Sequence, residues 1–370
     1  MPYPAPPCKS GRGTQSSRIC LISPPFDAQE ITCGGVKMAD IGLVAPYWND
    51  LKTEELVETA GLAEELGYHS IWVPEMWGRD AFSILGLIAA NTKRIRLATG
   101  IIPVFSRSPA LIAQTIATLD EISGGRMMLG LGTSGPVVIE DWHGVSFEKP
   151  LQRTKECVEI IKMILRGERV DYKGEIFSLK GFRLQFKPLR SDIPVLVAAI
   201  GPKNIRLAGE VADGWIPFLI PKESLKDAGK ELLQGARSRG REKDKIMLCP
   251  YIAASVSQDA ESAKKVVAEH IAYYIGGMGT YYFNTVSRYG FGDEANNIKR
   301  AWESGKKSEA VQAVSERMLD SLSVSGTPEH GRSIVADYIN EGADVPVLVF
   351  PPKASRALVR ETMISLAPGA

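Results

Sequence analysis

The sequence predicts a parallel (β/α)8 TIM barrel with insertions on its C-terminal face. From Asp40 onward, short apolar segments alternate eight times with amphipathic helical segments. The apolar segments lack strict polar alternation, as expected of parallel strands covered on both faces. Two stretches, residues 170–190 and a longer one ending near residue 320, interrupt the alternation and read as insertions. A doubly wound open sheet is the competing arrangement.

The elements follow in order. Ile41–Ala45 is a first strand, and Thr53 is expected to cap a helix running to Leu66, with Leu56, Ala60 and Ala63 on its apolar face. Ser70–Pro74 is the second strand, Asp80 caps a helix over Ala81–Ala90, and Arg94–Ile101 is the third strand. A helix over Ala110–Ile122 stops at Ser123-Gly-Gly-Arg126, where Arg126 is placed to brace the turn, and Met127–Leu131 is the fourth strand. A helix over Leu151–Leu165, a hairpin turning at Lys173-Gly174 and a fifth strand, Pro194–Ala199, come next. Lys203–Val211 is a helix, Gly214–Phe218 the sixth strand, 222–238 a helix and Ile246–Ala254 the seventh strand. A helix over 258–275 opens a Gly- and Tyr-rich insertion; Thr327 then caps a helix to Asn340, Val345–Phe350 is strand eight and a last helix closes the chain.

With 370 residues and 44% apolar content, the chain can bury one larger barrel or two ordinary domains. Its 44 basic and 43 acidic side chains leave a net charge of +1, so no global field steers it toward nucleic acid or an anionic bilayer. No apolar run approaches the ~20 residues that span a membrane. Cys8, Cys20 and Cys33 fall near the start, and Cys157 and Cys249 lie in apolar stretches without CxxC spacing. That pattern argues against a disulfide framework or a zinc ribbon and fits a reducing cytoplasm. Residues 1–37, rich in Pro, Gly and Ser, read as a disordered leader ahead of a barrel over 38–370.

In this architecture reactive groups gather where strands end and helices begin. After strand two stands Glu75, a proton-donor candidate or a structural acceptor, followed by Met76, Trp77 and the helix cap Asp80. Strand three ends in Thr99-Gly100-Ile101, where glycine admits a close ligand or a plain bulge, with Ser106 and Arg107 beyond. Gly130-Leu-Gly-Thr-Ser-Gly135 spells a dinucleotide fingerprint, yet Pro136 follows and no helix is expected before about Pro150, so the Rossmann reading fails. Gly132 and Thr133 remain candidates for holding an anion or a ring carbonyl. Gly201, Pro202, Lys203 and Asn204 open a helix beside a cation, which suits a phosphate or a simple capped turn. His69, His143, His270 and His330 are scattered without metal-ligand spacing; only His143 is expected in a top-face loop.

Seven short segments in order carry a resemblance: Pro74–Asp80, Leu119–Arg126, Leu129–Pro136, Glu140–Gly144, Ala199–Asn204, Ala212–Trp215 and Gly326–Pro328. With them the chain from about residue 40 to 366 resembles the luciferase-like monooxygenase superfamily, and within it the methylenetetrahydromethanopterin-reductase-like oxidoreductases. The resemblance implies coenzyme F420 as cofactor, with FMN as the alternative. It implies a non-prolyl cis peptide at Gly100–Ile101 behind the ring, Thr99, Gly132 and Thr133 along it, and the phosphate on Gly201–Asn204. Glu75 and Met76 fall near the deazaflavin head, with Trp48, Trp77, Arg107 and His143 as substrate contacts. Members of the family are usually dimers or tetramers, which implies a homodimer or homotetramer acting on a small molecule. One departure stands out: the methanopterin reductases carry an acidic residue where this chain has Val44, which argues against their substrate and shifts any acid role toward Glu75. The expected activity is hydride transfer between F420 and an organic substrate. The rivals are a two-component FMN monooxygenase and a flavin-binding protein without turnover.

Overall fold

The computed structural model describes residues 32–33, 36–37, 40–47, 50–241 and 246–370. The chain divides into two units, Met1–Met38 and Ala39–Ala370. In the first, Thr32–Cys33 and Val36–Lys37 pair antiparallel; the rest of the expected leader lies outside the described residues, as does Trp48.

The second unit is built on eight parallel barrel strands: β1 (Gly42–Val44), β2 (Ser70–Val73), β3 (Arg96–Thr99), β4 (Met127–Gly132), β5 (Val195–Ala198), β6 (Gly214–Ile216), β7 (Tyr251–Val256, led in by Met247–Leu248) and β8 (Val347–Val349). Neighbours pair in sequence order. The β7 segment closes the ring. Its amides at Met247, Cys249 and Tyr251 donate to the carbonyls of Asp213, Trp215 and Pro217 at 2.9, 2.9 and 2.8 Å, while Val347 donates to Pro250 at 2.8 Å and Gly42 to Pro346 at 2.9 Å. Every strand therefore has a partner on both sides, which removes the edges an open sheet would leave. Val44, Trp72, Ala98, Met128, Leu196, Ile216, Cys249 and Val347 fill the interior.

The helices α1 (Thr53–Glu65), α2 (Ala81–Asn91), α3 (Pro109–Ser123), α4 (Pro150–Leu165), α5 (Pro202–Val211) and α6 (Leu225–Ser238) follow β1 to β6. Asp80 caps α2 as expected, accepting from the Ser83 amide at 2.7 Å. At α1 the expectation is corrected by one position: Thr53 is the first helical residue, and the preceding Lys52 amide is held by Glu55 at 2.7 Å. Arg126 braces the bottom face, donating to the carbonyls of Ala89, Thr92, Ile95 and Ser123 at 2.7–3.0 Å. A short wide helical turn at Val137–Trp142 corrects the expectation of an unbroken loop before Pro150; Pro136 starts it, and the His143 amide reaches back five residues to Val138.

Two glycines let α5 and α6 meet backbone to backbone. A Cβ on Gly209 would collide with the Leu232 carbonyl, and one on Gly235 with that of Arg206. Carbonyl groups inside helices cannot step aside as a side-chain tip would. Gly209→Ala is therefore expected to cost about 1–3 kcal/mol by overpacking, read as a lowered midpoint in urea with an unchanged slope.

Between β7 and strand eight the chain makes a helical excursion: α7 (Ala260–Gly277), α8 (Thr280–Val286), α9 (Gly292–Glu303), α10 (Lys307–Gln312) and α11 (Glu316–Leu322). It has its own core, including Ile271, Ile275, Phe291, Ile298 and Met318. The sequence predicts no strand in this stretch. Ser323–Gly326 nevertheless pairs parallel with Ala253–Val256, a register its single apolar residue does not announce. Then come α12 (Pro328–Asn340), capped by Thr327, β8 and α13 (Arg356–Ser365).

Candidate active site

The ends of β3, β4 and β5 converge at the barrel mouth with Tyr251, the first residue of β7. The peptide between Gly100 and Ile101 is cis. The Tyr251 hydroxyl occupies the place a Cβ on Gly100 would take, and the Tyr251 ring stands edge-on to Trp72, with centroids 5.7 Å apart at 87°. Ile101 lies over Gly132: a Cβ on that glycine would come 3.0 Å from Ile101 Cδ1 and 3.4 Å from the Ala198 Cβ. Tyr47, Ile101, Ala198 and Tyr251 are half-buried at the rim of one interior cluster. The Tyr251 Oη is buried without a hydrogen-bond partner among the described residues, and burial pushes its phenol far up from the usual range. Thr99 is fully buried, and its hydroxyl clamps β3 to β4, donating to the Gly130 carbonyl at 2.8 Å and accepting from the Gly130 amide at 2.9 Å. That leaves no exposed group for the cofactor contact expected of it. Thr133 is half-buried and turns its hydroxyl to the Ser134 carbonyl at 3.1 Å.

Three residues past Ala198, α5 opens at Gly201. No side chain caps this helix, and the space where a Gly201 side chain would stand is open. Pro202 and Lys203 are exposed, and the Asn204 Oδ1 is buried without a partner among the described residues. Arg288, from the segment after α8, reaches the Ile200 carbonyl at 3.4 Å. Amides at a helix start, an orphaned polar side chain and two nearby cations suit a phosphate group. Arg288 was not foreseen, because only the fold brings the excursion back over β5.

The β2 end differs from expectation. Arg107 grips Glu75 through both guanidinium nitrogens, one of them at 2.9 Å, and also pairs with Asp80. The α2 amide of Ala81 donates to the same Glu75 carboxylate at 3.1 Å. Glu75 is thus the structural acceptor of the two alternatives, engaged by donors rather than a free proton donor, and Arg107 is its partner rather than the substrate contact expected. The Glu75 hydrogen bond, ahead of other effects, raises the Arg107 guanidinium further. His143 lies in the loop after the Val137–Trp142 turn with its Nε2 buried and unpartnered among the described residues.

A cavity of about 870 Å3 opens over β1, β2 and β8, roofed by α7, α9 and α10. Met76 and Trp77 line it, as do Tyr47, His270, Tyr274 and Trp302; Gly100, Ile101, Gly132, Thr133 and Gly201–Asn204 do not. The mouth and the phosphate-type seat lie over β3 to β5 and the cavity over β1, β2 and β8; Tyr47 lines the cavity and also packs on the barrel interior. His270 is packed between Phe218 and Tyr274, at centroid distances of 6.3 and 4.9 Å. Burial pulls its imidazole down to about 4, so it is neutral at neutral pH, and its Nε2 has no partner among the described residues.

The model of the family described as luciferase-like monooxygenase matches residues 40–345. The chain belongs to the luciferase-like monooxygenase family. Among relatives, a Mycobacterium tuberculosis protein named as a coenzyme F420-dependent oxidoreductase is 31% identical, the match covering 84% of this chain and 94% of that one. The 5,10-methylenetetrahydromethanopterin reductase of Archaeoglobus fulgidus is 33% identical over 79% of this chain and 87% of its own. Among solved structures, the coenzyme F420-dependent tetrahydromethanopterin reductase of Methanopyrus kandleri superposes with a TM-score of 0.75 at 24% identity, covering 89% of this chain and 98% of that one. This luciferase-like chain thus shares the TIM-barrel fold of its structural neighbour.

Proposed function

We propose that this family member is an oxidoreductase that passes a hydride between coenzyme F420 and a small organic substrate. The observation that carries the reading is the uncapped α5 start, with Lys203, Arg288 and the orphaned Asn204 side chain, set three residues from the glycine-lined mouth of β3, β4 and β5. A flat ring with a phosphorylated tail needs these two features side by side, and the Mycobacterium tuberculosis relative named for F420 matches this chain along most of its length. When bound, F420 supplies or accepts a hydride at the ring carbon that replaces a flavin nitrogen.

The protein's own groups have separate tasks. Gly100 makes room for the Tyr251 hydroxyl and Gly132 for the Ile101 side chain, and Ile101, Ala198 and Tyr251 wall the mouth that takes the planar ring. The α5 amides, Lys203 and Arg288 hold the phosphate. Glu75 and Arg107 are positioning residues that fix the segment carrying Met76 and Trp77. The cavity takes the organic substrate and excludes water around the reacting carbon. A cytoplasmic location and a homodimeric or homotetrameric assembly belong to the same reading; no helix among the described residues is long and apolar enough to cross a membrane.

Titration of F420 fluorescence tests it. Saturable binding is expected, and Lys203→Ala is expected to weaken it roughly tenfold by removing one charge-assisted contact. Tight FMN binding with oxygen uptake, and indifference to F420, would instead assign the chain to the monooxygenase branch.

A further inference from the structure

We infer that the cavity beneath the excursion binds an amphipathic organic anion, with its apolar body at depth and its carboxylate or phosphate head among Arg79, Lys265 and Lys307 at the rim. The inference deepens the reading above by naming the substrate class, and rests on that reading only in calling the ligand a substrate.

Burial sorts the lining residues into two zones. Ala45, Leu56, Val73 and Ile84 are buried, whereas Lys265, Lys307 and Lys353 are exposed. The buried zone offers an ion nothing. His270 is its titratable imidazole, and burial leaves that ring neutral at neutral pH. An ion taken to that depth would lose its hydration and gain no counter-charge. The apolar body of a small molecule fits there, and a cavity of about 870 Å3 has room for one.

The rim has the opposite character. Asp50 and Glu269 are the acidic residues that line the cavity, and both are taken: Arg356 pairs with Asp50 at 3.4 Å and Lys353 with Glu269 at 3.0 Å. Arg79, Lys265 and Lys307 have no acidic partner among the described residues. Two of the three are held by neutral acceptors. Arg79 donates to the Leu51 carbonyl. The Lys307 Nζ donates to the Trp302 carbonyl at 3.0 Å and lies 3.5 Å from the centroid of the Trp302 ring. A carbonyl or a ring face orients a cation without cancelling its charge. In a chain whose net charge is +1, three uncompensated cations at one opening are a local feature.

The platform under Lys307 is itself fixed. The Trp302 ring lies on the Gly276–Gly277 backbone at the end of α7: a Cβ on Gly276 would come 2.5 Å from Trp302 Cγ, and one on Gly277 3.0 Å from Cζ2. Tyr273 packs against the same ring with centroids 5.9 Å apart. A lysine set on a braced platform loses less freedom on meeting an anion than one free to rotate. The apolar wall alone would accept any oily molecule, and the rim adds the sign. An alcohol of equal length leaves the cations unused, and a quaternary ammonium brings like charge to them.

Isothermal calorimetry of the full chain, with and without F420, tests this with octanoate, octyl phosphate, 1-octanol and octyltrimethylammonium. Octanoate is expected to bind about tenfold tighter than 1-octanol or better, and the ammonium most weakly. The ratio of octanoate to octyl phosphate assigns the head group. Raising the ionic strength should narrow the gap between octanoate and octanol. Lys265→Ala with Lys307→Ala should close most of that gap while octanol binding holds. Lys265→Ala alone, at an exposed position, carries the test where the double variant fails to fold, and should narrow the gap about twofold or more. Val311→Phe, which crowds the chamber, should weaken octanoate and octanol together. Octanol or the ammonium binding as tightly as octanoate, a preference for octanoate that survives the lysine variants, or no binding of any of the four overturns the proposal. A chain that prefers octanoate in this way but does not bind F420 upholds the chamber and overturns only the functional reading.

Discussion

Arg107→Ala is expected to lower unfolding stability by about 3–5 kcal/mol. The reason lies in what it leaves behind. Glu75 is 8% exposed, and its carboxylate is gripped by Arg107, itself 19% exposed. Removing the guanidinium leaves a buried carboxylate whose remaining partner among the described residues is the Ala81 amide, at 3.1 Å. The Arg107 guanidinium carbon also lies over the Phe82 ring, 5.2 Å from its centroid, so a cation–π contact is lost with the charge. The pair to Asp80, 42% exposed, adds little because solvent screens it. If the ion pair is the cause, Glu75→Gln placed on Arg107→Ala should recover a large part of the loss, since the neutral amide tolerates the dry site better. A double-mutant cycle in urea measures that coupling. The functional consequence should be separable. Met76 and Trp77, directly after Glu75, line the cavity, so the single variant is expected to raise KM for the organic substrate while F420 affinity holds. A loss below about 1 kcal/mol would reduce the cluster to a surface ion pair.

The same cluster shows where the sequence is legible and where it stops. Strand and helix positions are local properties, and the doubly covered strands announce themselves as apolar runs. Caps such as Asp80 and Thr327 announce themselves through short polar side chains ahead of a helix. Even the cis peptide at Gly100–Ile101 was reached, though only through family resemblance. Partnerships across the barrel are not local. Nothing in the run around Glu75 says that Arg107, 32 residues later, takes both its oxygens. Free acid and ion-pair anchor look alike in sequence. His270 reads as one scattered histidine until α7 lays it against Phe218 and Tyr274. Tyr251 is one aromatic residue in an apolar strand until closure places its hydroxyl over Gly100. A tyrosine beginning an otherwise apolar barrel strand was the available signal, because its hydroxyl has to end somewhere polar or somewhere functional.

That hydroxyl supports the second large effect. Gly100→Ala is expected to destabilise the protein by about 1–3 kcal/mol and to abolish tight F420 binding, because the new methyl group falls on the Tyr251 Oη. The phenol cannot swing aside freely. Its ring is set against Trp72, and the Trp72 Cβ itself would lie 3.1 Å from the added atom. The displaced ring would move into the mouth, where Ile101 and Ala198 stand. Removing the oxygen should relieve the clash in part, since the nearest remaining ring atom, Tyr251 Cζ, is 3.2 Å away. Tyr251→Phe alone should be close to neutral or slightly stabilising, because the lost hydroxyl is buried without a partner among the described residues. Gly100→Ala with Tyr251→Phe should therefore be more stable than Gly100→Ala alone, and should regain part of the F420 affinity. If the second substitution restores nothing, the tyrosine is not what requires glycine at that position. The demand would then lie in the ring pocket itself.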